Sequence, residues 1–109
     1  PCGLFMPRGD CPHCFIGELG PGMPVNRHAP NLGPRLSIVT NEGKLIARLG
    51  GEDGLVNEPG KFMAPHGLAV DSRGDIYVGE VSYTNWPASF GDKPMPKLLH
   101  TLKKLERVA

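Results

Sequence analysis

Three groups of side chains carry residue types and spacings suited to chemistry. Cys11-Pro12-His13-Cys14 is a Cys-x-x-Cys pair, which acts as a redox dithiol where a helix N-terminus lowers the first thiol's pKa. With about two more ligands, of which Cys2, His13 and His28 are the nearby candidates, it would instead be half of a zinc site. His66 opens an apolar run after Pro65, and histidine is the commonest metal ligand. Catalytic zinc needs three protein ligands and an open position, so one histidine is not a site. A hydrogen-bonded structural role is the plainer alternative. Glu18 and Glu80 each follow a glycine in an apolar run. A carboxylate there can ligate a metal or move a proton, or accept hydrogen bonds from loop amides.

The elements that must position these groups come from an internal repeat. Cys14-Phe15-Ile16-Gly17-Glu18-Leu19-Gly20 matches Ile76-Tyr77-Val78-Gly79-Glu80-Val81-Ser82 at an offset of 62, and Pro1–Met6 matches Pro65–Val70 at an offset of 64. The two-residue difference falls between Asp10 and Phe15. Leu68-Ala69-Val70, a turn at Asp71-Ser72-Arg73-Gly74-Asp75 and the alternating run Ile76–Val81 predict a β-hairpin. In the first unit, Arg35–Thr40 and Lys44–Leu49, joined by Asn41-Glu42-Gly43, predict third and fourth strands. The spacing of Leu98, Leu99, Leu102 and Leu105 alone reads as helix. The repeat aligns Thr101-Leu102 with Arg35-Leu36 and Leu105 with Val39, and so predicts a strand. Tyr83–Pro96, with Asn85, Pro87, Gly91, Pro94 and Pro96, reads as a long loop. The expectation is all-β: two four-stranded antiparallel units, residues 1–56 and 57–109, the last of them short of a full set of strands.

Composition bounds the partners. The 109 residues include 15 Gly and 12 Pro, 39% are hydrophobic, and the formal net charge is +1. So many breakers exclude long helices and coiled coils. No apolar run approaches the ~20 residues that cross a bilayer, and the charge gives no electrostatic case for nucleic acid or an anionic membrane. No signal peptide can be read at Pro1-Cys2-Gly3-Leu4, which leaves localisation unknown. An opening directly in apolar sequence points to a piece of a longer chain.

Four-stranded antiparallel units repeating every few tens of residues are the signature of propeller blades. Gly60–Glu80, with Phe62, Pro65, Gly67-Leu68-Ala69-Val70-Asp71 and Gly74-Asp75-Ile76-Tyr77-Val78-Gly79-Glu80, resembles the NHL-repeat family of β-propellers. Pro65-His66, Glu80 and Thr84-Asn85 look like the last blade of peptidyl-α-hydroxyglycine α-amidating lyases and their bacterial relatives. That resemblance implies a six-bladed propeller with zinc in its central channel, His66 as one zinc ligand, Glu80 as a weaker metal candidate, and a small-molecule or peptide ligand in the channel. Those lyases carry an acidic residue associated with calcium directly after the histidine. Gly67 stands there, which argues against calcium. The first unit has Cys2 at the position of His66. Catalytic residues are not assignable. A propeller needs at least ~4 blades, so the chain reads as a fragment that requires the remaining blades or oligomerises to close the ring.

Other features have plainer readings. Cys11-Pro12-His13-Cys14 resembles the active site of periplasmic thioredoxin-fold thiol oxidases, yet those motifs open a helix, and strand follows here. Asp71 and Asp75 read as turn carboxylates. Gly50, Gly51, Asp53 and Gly54 lack the Lys-Ser/Thr of a phosphate loop. Tyr83, Trp86 and Phe90 either line a ligand mouth or pack on a neighbouring blade. Lys97, Lys103, Lys104 and Arg107 read as a solvated basic face. Two further functions fit the same architecture: a non-catalytic binding module, and a lactone hydrolase of the gluconolactonase type. Alone, with raw strand edges, the chain is expected to be poorly soluble or oligomeric and without activity.

Overall fold

A computed structural model of the chain describes residues 2–9, 12–20, 23–26, 28–30, 32–50 and 59–108. The expected boundary near residue 56 and the connector Gly51–Gly54 lie outside the described residues. Strands β1 (Gly3–Phe5), β2 (His13–Glu18), β3 (Arg35–Thr40) and β4 (Leu45–Leu49) form an antiparallel meander in chain order. A second sheet follows, with β5 (Pro65–Val70), β6 (Ile76–Glu80) and β7 (Leu102–Leu105) again in chain order. Helix α1 (Ser82–Phe90) lies between β6 and β7, and a short 3-10 turn occupies Pro24–Asn26. No helix among the described residues is long and apolar enough to cross a membrane.

The repeat is a repeat of register. Gly3 pairs with Gly17 as Gly67 pairs with Gly79, and Leu4 with Ile16 as Leu68 with Val78. On the third strand, Gly17 meets Leu36 as Gly79 meets Leu102, and Cys14 meets Val39 as Ile76 meets Leu105. The strand reading of Leu102–Leu105 holds against its helical spacing because pairing with β6 decides it. The turns have the chemistry their residues supply. Gly43 and Gly74 adopt φ of 91° and 88°, a region closed to most L residues.

The second sheet has three strands among the described residues, departing from the four-stranded pattern in the way expected of a last unit short of a full set. One expectation needs correction. The segment Tyr83–Pro96 is not all loop, since Ser82–Phe90 is helical despite Pro87 inside it. Ser82, Asn85, Trp86, Ser89 and Phe90 recur at helical spacing and form the covered face, whereas Tyr83, Thr84, Pro87 and Ala88 are exposed. Three of the five covered residues are polar, so the period was invisible to a count of apolar residues.

Two clusters hold the chain together. Phe5, Phe15, Leu36, Ile38 and Leu49 on one face of the first sheet meet Leu68, Val70, Ile76, Val78 and Leu105 on the second, with Phe62 fully buried between them. Each such side chain contributes about 1.5–3 kcal/mol when fully buried. Strand β5 packs on β1 and β2. Towards β4 and β7 the sheets part around a cleft of about 580 Å³, floored by Phe15, Ile38 and Ile76. At the opposite end, Leu19, Met63, Ala64 and Leu99 form a second cluster, which Trp86 and Phe90 of α1 cover.

Candidate functional site

The cluster that α1 covers includes Met63 and Ala64, whose amides bind one of the candidate carboxylates. Glu80, the last residue of β6, is buried. Its Oε1 accepts hydrogen bonds from the amides of Met63 (2.6 Å) and Ala64 (3.0 Å), and its Oε2 lies 2.8 Å from Lys103 Nζ. The Lys103 ammonium also donates to the Lys61 carbonyl at 2.7 Å and sits 5.6 Å from the Phe62 ring centre. Glu80 thus fastens the segment 61–64, which carries the core residue Phe62, to β6 and β7. A buried charge is tolerated when it is paired and hydrogen-bonded in this way.

Glu18 is the matching residue of the first unit, with different partners. Arg35 Nε donates to it at 2.8 Å, and the Ser37 hydroxyl donates to the same oxygen. Burial would raise its carboxyl, but the hydrogen bonds from Arg35 and Ser37 outweigh that and hold it below the usual 4.5. Ser37 and Lys103 occupy equivalent register positions, opposite Ile16 and Val78. Lys103 therefore belongs to a buried lock, not to the solvated basic face expected for it. That alignment was the available signal.

At the far end, Asp71 and Asp75 are turn carboxylates, as expected. Asp71 accepts from the amides of Arg73 (2.9 Å) and Asp75 (3.0 Å) and from the Tyr77 hydroxyl (3.1 Å). Those bonds lower its carboxyl against the opposing effect of burial. Asp75 accepts from the Arg107 amide at 2.9 Å and faces Lys104 at 3.3 Å and Arg73 at 3.2 Å. The Arg107 amide first, then Lys104 and Arg73, hold its carboxyl below the usual value, and the bond to Asp75 raises the Lys104 ammonium. Lys104 too is tied down by its own sheet.

His66 is exposed on β5, at a break in register: Pro65 pairs with Glu80 and Gly67 with Gly79, leaving His66 as the extra residue of a bulge. Bulges re-aim side chains and recur beside functional sites. Its carbonyl oxygen passes over Gly3, where a Cβ would collide with it. Among the described residues, no group of three His, Cys, Asp or Glu side chains is placed to hold a metal ion. The described residues therefore do not supply a zinc set around His66, and both Glu80 oxygens already have protein partners.

Cys14 is buried in β2 and Cys2 half-buried, while Cys11 lies outside the described residues. Cys14 stands on a strand, not at a helix N-terminus, so the feature that activates a redox Cys-x-x-Cys is missing at that residue. The aromatic trio is split by α1. Trp86 stacks on Phe90 with ring centres 4.2 Å apart and donates from Nε1 to the Lys93 carbonyl at 2.9 Å. Tyr83 is exposed, and its hydroxyl accepts from the Leu99 amide at 3.3 Å.

Two antiparallel sheets of the same register, meeting at their first strands and parting towards their last, define a pair of blade-like units. Residues 62–86, from Phe62 to the middle of α1, match the family model of the NHL repeat. The match supports the NHL-repeat family and a propeller-type architecture. Comparisons with curated proteins and with solved structures return no match.

Proposed function

We propose that this chain supplies neighbouring blades of a propeller-type protein and serves as a binding module, with His66 presented to a small-molecule or peptide ligand where β1 and β5 converge. The observation that carries this reading is the exposed bulge position of His66, which makes no side-chain hydrogen bond among the described residues. A backbone held by sheet pairing on both sides gives that imidazole a fixed origin, which recognition requires.

A metal-dependent peptidyl-α-hydroxyglycine lyase, or a gluconolactonase-type hydrolase, is the finer reading that the same residue would serve. Either would need at least two metal ligands besides His66, contributed by further blades. The discriminating experiment titrates the chain with an N-acyl-α-hydroxyglycine peptide and with a sugar lactone, following the His66 ring by NMR, with metal content measured in parallel. The binding reading expects saturable shifts at His66 that His66→Ala abolishes while circular dichroism stays unchanged. Stoichiometric zinc lost on that substitution would favour an enzyme. An unperturbed His66 ring with both probes, and no zinc, would overturn both.

A further inference from the structure

The contact between the two sheets occurs once inside the chain, and both of its halves have register equivalents on the faces turned away from it. On the second sheet the docked face is Leu68, Val78 and Lys103 in one row and Val70, Ile76 and Leu105 in the next. Register equivalence maps these onto Leu4, Ile16, Ser37, Met6, Cys14 and Val39 of the first sheet. These lie on the face turned away from the second sheet. There Leu4 is 66% and Met6 55% exposed, beside a groove of about 250 Å³ between Leu4 and Ile16, whereas Ile16 and Val39 are half-buried and Cys14 and Ser37 buried, so the open part of the face is its β1 side.

The receiving face repeats as well. In the first sheet, Gly3 and Gly17 form a Cβ-free strip that lets β5 cross closely: a Cβ on Gly17 would stand 3.4 Å from the His66 carbonyl oxygen. Gly67 and Gly79 form the same strip on the outer face of the second sheet, flanked by Leu102, 72% exposed, and Tyr77. Nothing lies within 4 Å of a Cβ position on Gly67, and Gly79 meets only the Gly67 carbonyl, at 3.8 Å. Strand interiors lose stability when they carry glycine without a close neighbour. The segment equivalent to the one crossing Gly3 and Gly17 is Cys2-Gly3-Leu4.

We infer that a second copy of this chain supplies the missing neighbour: the Leu4/Met6 face of one copy docks on the Gly67/Gly79 face of the next, with Cys2 over Gly67. The inference rests on the blade reading above. The contact is heterologous, so it builds a ring if the rotation closes and a filament if it does not.

Gly67→Val and Leu4→Lys test it by light scattering across a concentration series. Neither side chain is in the core cluster, and Gly67 has open space around it, so folding is retained and checked by circular dichroism. The unsubstituted chain is expected to show a mass at least twofold above 11.7 kDa. Each substitution should return it to monomer, and an equimolar mixture of the two should recover a dimer and nothing larger. That mixture pairs the one intact face of each variant, which a two-fold symmetric contact would not do. A monodisperse wild-type monomer would overturn the inference, as would association that survives both substitutions, for example through the β4 and β7 edges. The blade reading fails separately, if Gly3→Ala leaves the packing of the two sheets undisturbed.

Discussion

The two sheets share a register and differ in what fills it. In the first, the strip of Gly3 and Gly17 is occupied by β5 and the end glutamate holds neighbours on β3. In the second, Gly67 and Gly79 are open and the glutamate secures the segment that leads into the sheet. The same letters therefore carry different loads. A glycine or glutamate at a repeat position acquires its energetic weight from the element that happens to lie across it.

The largest test of this contrast is at the glutamates. Glu80→Ala strands two buried amides and the Lys103 ammonium, and is expected to cost about 3–5 kcal/mol. Glu18→Ala removes hydrogen bonds that are only half-buried and should cost about 1–2 kcal/mol. Equal losses in urea titrations of the two variants would erase the distinction. Next come the glycines. Gly3→Ala forces β5 away from β1, for about 2–3 kcal/mol, whereas Gly67→Ala stays within about 0.5 kcal/mol. A costly Gly67→Ala measured under monomeric conditions would mean that its face is already occupied.

The smallest effect is on pH. Glu18, Asp71 and Asp75 all have folded-state values below their usual 4.5, 3.8 and 3.8. Their contribution is present above those values and is lost as pH falls through the lower folded ones. Lys104, raised above 10.5, contributes below that value and is lost as pH climbs past it. Thermal midpoints should therefore decline below about pH 4. Asp75→Asn should flatten the decline belonging to the second sheet, and Glu18→Gln that of the first. Unchanged acid profiles in both variants would show that neither carboxylate is coupled to folding.

Strands were legible where register and apolar alternation agree, as in Arg35–Thr40, and the repeat settled Leu102–Leu105 where periodicity pointed the other way. Helix α1 was illegible because its covered stripe is Ser82, Asn85 and Ser89 beside only two aromatics, with a proline in the middle. The buried side-chain oxygens of Ser82 and Ser89 and the Asn85 amide nitrogen have no hydrogen-bond partner among the described residues, and a sequence reader expects such groups on the outside. At the candidate site, Glu80 was visible as a recurring carboxylate. Its ammonium partner was not, since Lys103 looks like any surface lysine until strand pairing sets it opposite Val78. His66 was visible as a residue type, whereas its bulge depends on a register shift that no single-residue pattern encodes.

The meander order has a kinetic consequence. Within each sheet every strand pairs with the one just before it, so pairing closes comparatively short loops. The contact of β5 with β1 and β2 instead joins segments from the two units, far apart in the chain. Loop closure grows costlier with length, and non-local pairings set folding speed. The hairpins should thus assemble first and the glycine strip close last, so that backbone amides beside Gly3 lose hydrogen-exchange protection before those of β2 and β3.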